Sequence, residues 1–132
     1  MQPLIRDGDV VLVEPCDPGS IRLADVVLFT NNLGMAVLHR VIGKHQEKGG
    51  YHFILQGDQA PHTDGVIPQT EILGKLVGLE RHDMQINMSQ PSLQILGWGA
   101  VLRSKLGKNW AKPALWMTKA AMRTGVFRKY LN

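Results

Sequence analysis

From Asp9 to Leu79 the chain is cut into apolar, β-branched runs too short for helices, each closed by turn-forming residues. Asp9-Val10-Val11-Leu12-Val13-Glu14 reads as a short buried strand entered through a turn at Asp7-Gly8, and Pro15 to Gly19 reads as a loop. Leu23 to Phe29 is a second strand, and Asn31-Asn32-Leu33-Gly34 is a hairpin turn into a third. Lys48-Gly49-Gly50 turns the chain into Tyr51 to Leu55. Gln59 to Val66, with Pro61 and Gly65, reads as an exposed loop, and Ile72 to Leu79 as a further strand. Strands at this spacing, with no long helix between them, predict a mainly β, compact antiparallel fold.

The third strand carries the first chemical signal. In Ala36-Val37-Leu38-His39-Arg40-Val41-Ile42-Gly43, Val37, His39 and Val41 alternate with Leu38, Arg40 and Ile42. One face is therefore apolar apart from a histidine. An imidazole among valines tends to stay neutral because burial disfavours its cation. A neutral imidazole accepts a proton, which makes His39 a candidate general base, the plainer reading being a core histidine with satisfied nitrogens. Arg40 projects to the opposite face and reads as a surface or ion-pair residue.

Downstream, Gly57-Asp58 follows the strand-like Tyr51-His52-Phe53-Ile54-Leu55, and Asp64 stands six positions after Asp58. His39-Arg40-Val41-Ile42, Gly57-Asp58 with Asp64, and Ile72-Leu73-Gly74-Lys75, taken in order, resemble the signal peptidase family of serine endopeptidases. The resemblance is to the variant that uses histidine rather than lysine as base, the archaeal and endoplasmic-reticulum type. Met1-Gln2-Pro3-Leu4-Ile5-Arg6-Asp7-Gly8-Asp9 is similar to that family's opening box, Ser-Met-x-Pro-x-Ile followed by Gly-Asp. The likeness covers residues 1 to about 80.

The resemblance implies a coiled β-barrel and a serine endopeptidase that cleaves signal or leader segments from a polypeptide substrate. It implies His39 as the base, Asp64 as the acid that orients it and Asp58 as a weaker second acid. Met1, Pro3 and Ile5 would line the wall near the nucleophile and the substrate. Substrates of the family lie along an exposed strand edge with small side chains in tight pockets, a β-addition mode. The nucleophilic serine of the family stands directly before the methionine matched by Met1, so it is missing from this chain start. A catalytically inactive homologue that binds a peptide or partner is the alternative. The family also has glycine where Ala24 precedes Asp25, and alanine strains a positive-φ turn. Self-cleaving repressor domains share the broader fold but use lysine where His39 stands, and no helix-turn-helix is visible, so no nucleic-acid partner is expected.

Charge divides the chain in two. All eleven acids lie at or before Asp83, whereas eight of the fifteen Lys and Arg lie beyond it: Arg103, Lys105, Lys108, Lys112, Lys119, Arg123, Arg128 and Lys129. We therefore divide the chain into a β domain, 1–83, and a basic, partly helical extension, 84–132, beginning with a linker-like Met84 to Pro91. Leu93 to Leu102 is apolar, and from Pro113 onward Trp116, Ala120, Phe127 and Leu131 fit one helix side. A basic, tryptophan-bearing segment at 92–131 suits an anionic membrane surface as well as packing against the β domain. No apolar stretch reaches the roughly 20 residues of a membrane span and no signal peptide opens the chain, so membrane association rests on the family likeness and this segment; otherwise the chain reads as cytoplasmic. The lone Cys16 permits no internal disulfide, and the carboxylates around it raise its thiol's pKa rather than activate it. His45, His52, His62 and His82 match no metal-ligand spacing, and neither metal nor other cofactor is expected.

Overall fold

The computed structural model describes residues 4–106. Seven strands, β1 (Val10–Glu14), β2 (Val26–Thr30), β3 (Ala36–Glu47), β4 (Gly50–Gln56), β5 (Val66–Pro68), β6 (Ile72–Arg81) and β7 (Met84–Asn87), precede one helix, α1 (Pro91–Leu106). The strands form one antiparallel sheet in the order β1-β6-β2-β3-β4-β5, with β7 added beside β6. The expected antiparallel β fold is present. The ends of the sheet, β1 and β5, are not paired with each other, so the ladder itself is open.

The two faces of the sheet carry separate cores. Ile21, Val27, Phe29, Val41, Phe53, Leu55 and Ile67 pack on one side. Leu4, Val26, Leu76, Leu79, Ile86 and Leu93 pack on the other. Strand period 2 sorts them: Val26↔Arg40 and Val27↔His39 are successive cross-strand pairs and so face opposite ways. Phe29 and Phe53 are wholly buried, and each such side chain stabilises the fold by roughly 1.5–3 kcal/mol relative to exposure.

Local chemistry explains the turns. The Asn31 carboxamide oxygen accepts from the backbone amides of Leu33 and Met35, both at 3.0 Å, and Gly34 takes a positive φ to close the β2–β3 hairpin. Ala24 keeps the left-handed conformation at φ 74°, so the turn that glycine would serve is retained with strain. That turn delays β2 to Val26, three residues later than the sequence pattern indicates.

Two expectations are corrected, and a third is filled in. The segment after Asp83 does not begin as a linker: β7 pairs with β6 through a two-residue turn in which His82 and Asp83 both have positive φ. This is the geometry that Asn-Gly usually supplies, and its absence from the sequence hid the hairpin. β1 is an edge strand rather than a buried one, with Val10 and Leu12 outward and Val11 and Val13 partly buried against the second core. Leu93 to Leu102 belongs to a continuous helix that starts with Pro91 at an allowed position. No helix among the described residues is long and apolar enough to cross a membrane. The helix expected from Pro113 onward lies outside the described residues.

The glycine at position 97 lets α1 approach the sheet. A Cβ there would stand 2.8 Å from Arg40 Nη1 and 3.1 Å from the Ala24 carbonyl oxygen, closer than a methyl group tolerates. Val101, on the same helix side, is buried. α1 therefore covers the outer face of β3, and β3 is buried on both faces: Arg40 and Ile42 on one, Val41 on the other.

The N-terminal segment is anchored by a buried ion pair. Arg81 Nε donates to Asp9 Oδ1 at 2.7 Å and Nη2 to Oδ2 at 2.5 Å, while Nη2 also donates to the Leu4 carbonyl at 3.1 Å. The Arg81 guanidinium holds the Asp9 carboxyl below its ordinary pKa, against the opposing effect of desolvation. Leu4 is buried beside this pair in the second core.

Candidate active site

β3 presents His39 and Arg40 to opposite faces, and each captures an aspartate of the same loop. On the first face His39 Nδ1 donates to Asp64 Oδ2 at 2.5 Å, with 21% and 29% of the two side chains exposed. A carboxylate can only accept, so Nδ1 carries a proton, and in the neutral form of this imidazole the lone pair is on Nε2. Phe29 packs against the imidazole, ring centroids 5.7 Å apart and planes tilted by 49°. Among the described residues Nε2 has no hydrogen-bond partner.

Gly57 makes room for that nitrogen. A Cβ at this position would lie 3.1 Å from His39 Nε2 and 3.3 Å from Cδ2. The glycine of Gly57-Asp58 thus serves the imidazole as well as the turn. The loop returns Asp64 to the sheet through its backbone: the Asp64 amide donates to the Leu55 carbonyl at 2.9 Å. Arrival of Asp64 at His39 is therefore fixed by the end of β4 and not only by the side-chain bond.

On the second face Arg40 Nε donates to Asp58 Oδ1 at 2.7 Å and Nη2 to Oδ2 at 2.8 Å, while Nη1 donates to the Ala24 carbonyl at 2.8 Å. Both side chains are buried, at 4% and 6% exposure. The structure thus does not bring Asp58 to the imidazole: it is the buried partner of Arg40. Arg40 is an ion-pair residue, and the surface half of its expectation is corrected by the helix over it.

Residues with no signature in the sequence complete the loop's support. Gln56 Nε2 donates to the Ala60 carbonyl at 2.7 Å, and Ser104 of α1 donates to Gln56 Oε1 at 2.5 Å. The helix is thereby linked to the loop that carries Asp64. Ile5 is partly buried against the second core. Met1 and Pro3 lie outside the described residues.

One side of the candidate site is an open strand edge. The β3–β4 ladder begins at the pair Arg40↔Gln56, so Ala36 to His39 extend past the end of β4. Val41 directs its backbone groups toward β2, donating to Asp25 at 2.8 Å and accepting from Ala24 at 2.9 Å. By alternation the peptide groups of Ala36 and Leu38 point away from β2, where no strand among the described residues pairs with them.

Other titratable groups lie apart from this arrangement. Cys16 has its thiol pKa raised chiefly by burial, with Asp25 and Asp17 adding to the effect and Lys75 opposing it. Burial rather than the neighbouring carboxylates is thus the main cause. Among the described residues no group of three or more His, Cys, Asp and Glu side chains could hold a metal ion. A cavity of about 700 Å³ between α1 and the β2–β6–β7 region, lined in part by Arg22, Leu76, Met88 and Trp98, touches neither His39 nor Asp64. No protein-family model, curated protein or solved structure matches the chain.

Proposed function

We propose that this chain carries the base and orienting acid of a serine endopeptidase of the signal peptidase type. The observation that supports it is the His39–Asp64 hydrogen bond, which presents Nε2 on a partly open face beside a strand edge that no strand among the described residues pairs. The coiled barrel of that family belongs to the same reading and adds closure to the antiparallel sheet.

The proposed chemistry needs a serine at the position before Met1. Its Oγ forms a bond to the scissile carbonyl carbon while Nε2 of His39 takes the hydroxyl proton. Asp64 holds the imidazole in the Nδ1–H tautomer and stabilises the cation that forms. Collapse of the tetrahedral intermediate breaks the C–N bond, and the Nε2 proton passes to the leaving amine. Water then hydrolyses the acyl ester with the same base. The substrate backbone pairs with the free groups of Ala36 and Leu38, which sets its carbonyl near His39.

The test is an extended chain with serine before Met1, assayed on a leader peptide with small residues before the scissile bond. Turnover is expected, and His39→Ala in that chain lowers kcat by about 10³ or more, the scale of triad members. Asp64→Asn lowers it by at least about tenfold, because it removes orientation and charge rather than the proton acceptor. Turnover indifferent to His39→Ala overturns the assignment. Binding of the peptide without cleavage by the extended chain supports the inactive, peptide-binding alternative instead.

A further inference from the structure

α1 is apolar on two opposite sides. Leu93, Gly97 and Val101 face inward and are buried, as the spacing of 3.6 residues per turn requires of one stripe. Ile95 and Leu102 form a second stripe on the far side, exposed at 59% and 54%, and Trp98, 49% exposed, stands between them and the inward stripe, where it also lines the cavity under α1. A helix that only packs on a sheet has a polar outer side. Here the outer side instead exposes three large apolar side chains within eight residues.

The charge around this stripe selects its occupant. α1 carries Arg103 and Lys105 in its last turn and no acid, and beyond Asp83 the chain has eight bases and no acid. A second copy would bring two such basic segments together, so self-association is opposed by like charge. A nucleic acid would pair with the bases but leave an Ile-Trp-Leu stripe with no partner. An anionic lipid surface satisfies both: acyl chains take the stripe, the interface takes the indole, and headgroups take the lysines and arginines.

We propose that the outward face of α1, Ile95, Trp98 and Leu102 flanked by Lys105, docks parallel to the surface of an anionic phospholipid bilayer. The docking does not depend on peptidase activity. Through Gly97 against Arg40 and Ser104 on Gln56, the opposite side of the same helix holds β3 and the Asp64 loop, so the docked protein presents the His39 site at a fixed height above the bilayer.

The experiment uses the full chain with Trp110→Phe and Trp116→Phe, leaving Trp98 as the only fluorophore of its kind. Vesicles of phosphatidylglycerol with phosphatidylcholine should shift its emission to the blue and co-sediment the protein, whereas pure phosphatidylcholine vesicles should do neither. Binding should fall by about tenfold or more between low and high salt. Ile95→Ser with Leu102→Ser, both at exposed sites and checked by an unchanged thermal melt, should lower binding at least about tenfold. Lys105→Glu should lower it more modestly and leave the stripe intact. Anionic binding unaffected by the two serines, or without an emission shift, overturns the role of α1 and assigns binding to the basic tail. Equal binding to neutral vesicles, or none to either, overturns the lipid surface. A dimer in solution that Leu102→Ser dissociates assigns the stripe to a second copy and overturns the proposal.

Discussion

His39 and Arg40 are neighbours in the chain, and each is paired with an aspartate of one loop, yet their settings differ in the variable that matters most. The Arg40–Asp58 pair is bidentate, 4% and 6% exposed, and capped by a third bond to Ala24. The His39–Asp64 pair is a single bond with a fifth to a quarter or more of each side chain in solvent. A buried pair cannot lose one partner cheaply, because the other is left charged in a low dielectric. A partly exposed pair can, because water replaces the lost partner. The loop is thus anchored where it leaves β4 and left partly exposed where it returns. One end carries stability and the other is free to carry chemistry.

The largest expected effect is on the buried side. Arg40→Ala should cost about 3–5 kcal/mol in denaturant unfolding, whereas His39→Ala should cost under about 1 kcal/mol. Equal costs for the two variants would erase the distinction. Arg40→Met combined with Asp58→Leu should recover most of the loss, since a buried ion pair replaced by apolar groups of similar size is often neutral. Failure of that rescue would mean the Ala24 carbonyl, orphaned by the change, dominates.

A smaller effect tests the helix that makes the Arg40 side buried. Gly97→Ala places a methyl 2.8 Å from Arg40 Nη1 and 3.1 Å from a backbone oxygen. It should destabilise by about 1–3 kcal/mol, the usual cost of overpacking. A neutral Gly97→Ala would show that α1 does not press on Arg40.

The pH dependence of stability separates the two kinds of pair further. Asp9 is held below its ordinary pKa by Arg81. A carboxyl with a depressed folded pKa contributes stability that is present above its unfolded value, near 3.9, and is lost as pH falls through the folded value. Melting temperature should therefore drop on acidification below about pH 4, and Asp9→Asn should be destabilised at neutral pH with a flatter acid limb. An acid limb identical to the parent's would remove Asp9 as its source.

The smallest effect runs the other way. Ala24 at φ 74° carries left-handed strain that glycine does not. Ala24→Gly should gain up to about 1 kcal/mol, less the small contact its methyl makes near Gly97. A loss would mean that this contact, and not the backbone, sets the balance at the turn beside Arg40.

Much of the arrangement was legible along the chain. Alternation in Val37, His39 and Val41 put the histidine on an apolar face, and the proline and glycine of the 59–66 loop marked a segment able to return Asp64 to it. The roles of Arg40 and Asp58 were not legible, because alternation says only that Arg40 faces away from His39. What lies on that other side depends on α1, more than 50 residues downstream. β7 was hidden for a local reason, a His-Asp pair doing the work of Asn-Gly.

By itself, then, the sequence determined five of the seven antiparallel strands, most of their turns and the face that His39 occupies, since each follows from contacts between near neighbours and from period-2 alternation. The tertiary structure alone decided that Asp58 is the buried partner of Arg40, that Arg40 is itself buried, and that α1 keeps a second apolar side in solvent. Those outcomes depend on which distant surfaces meet. Burial sets the energy of a charge or an apolar group, and burial is a property of the assembled fold rather than of any stretch of chain.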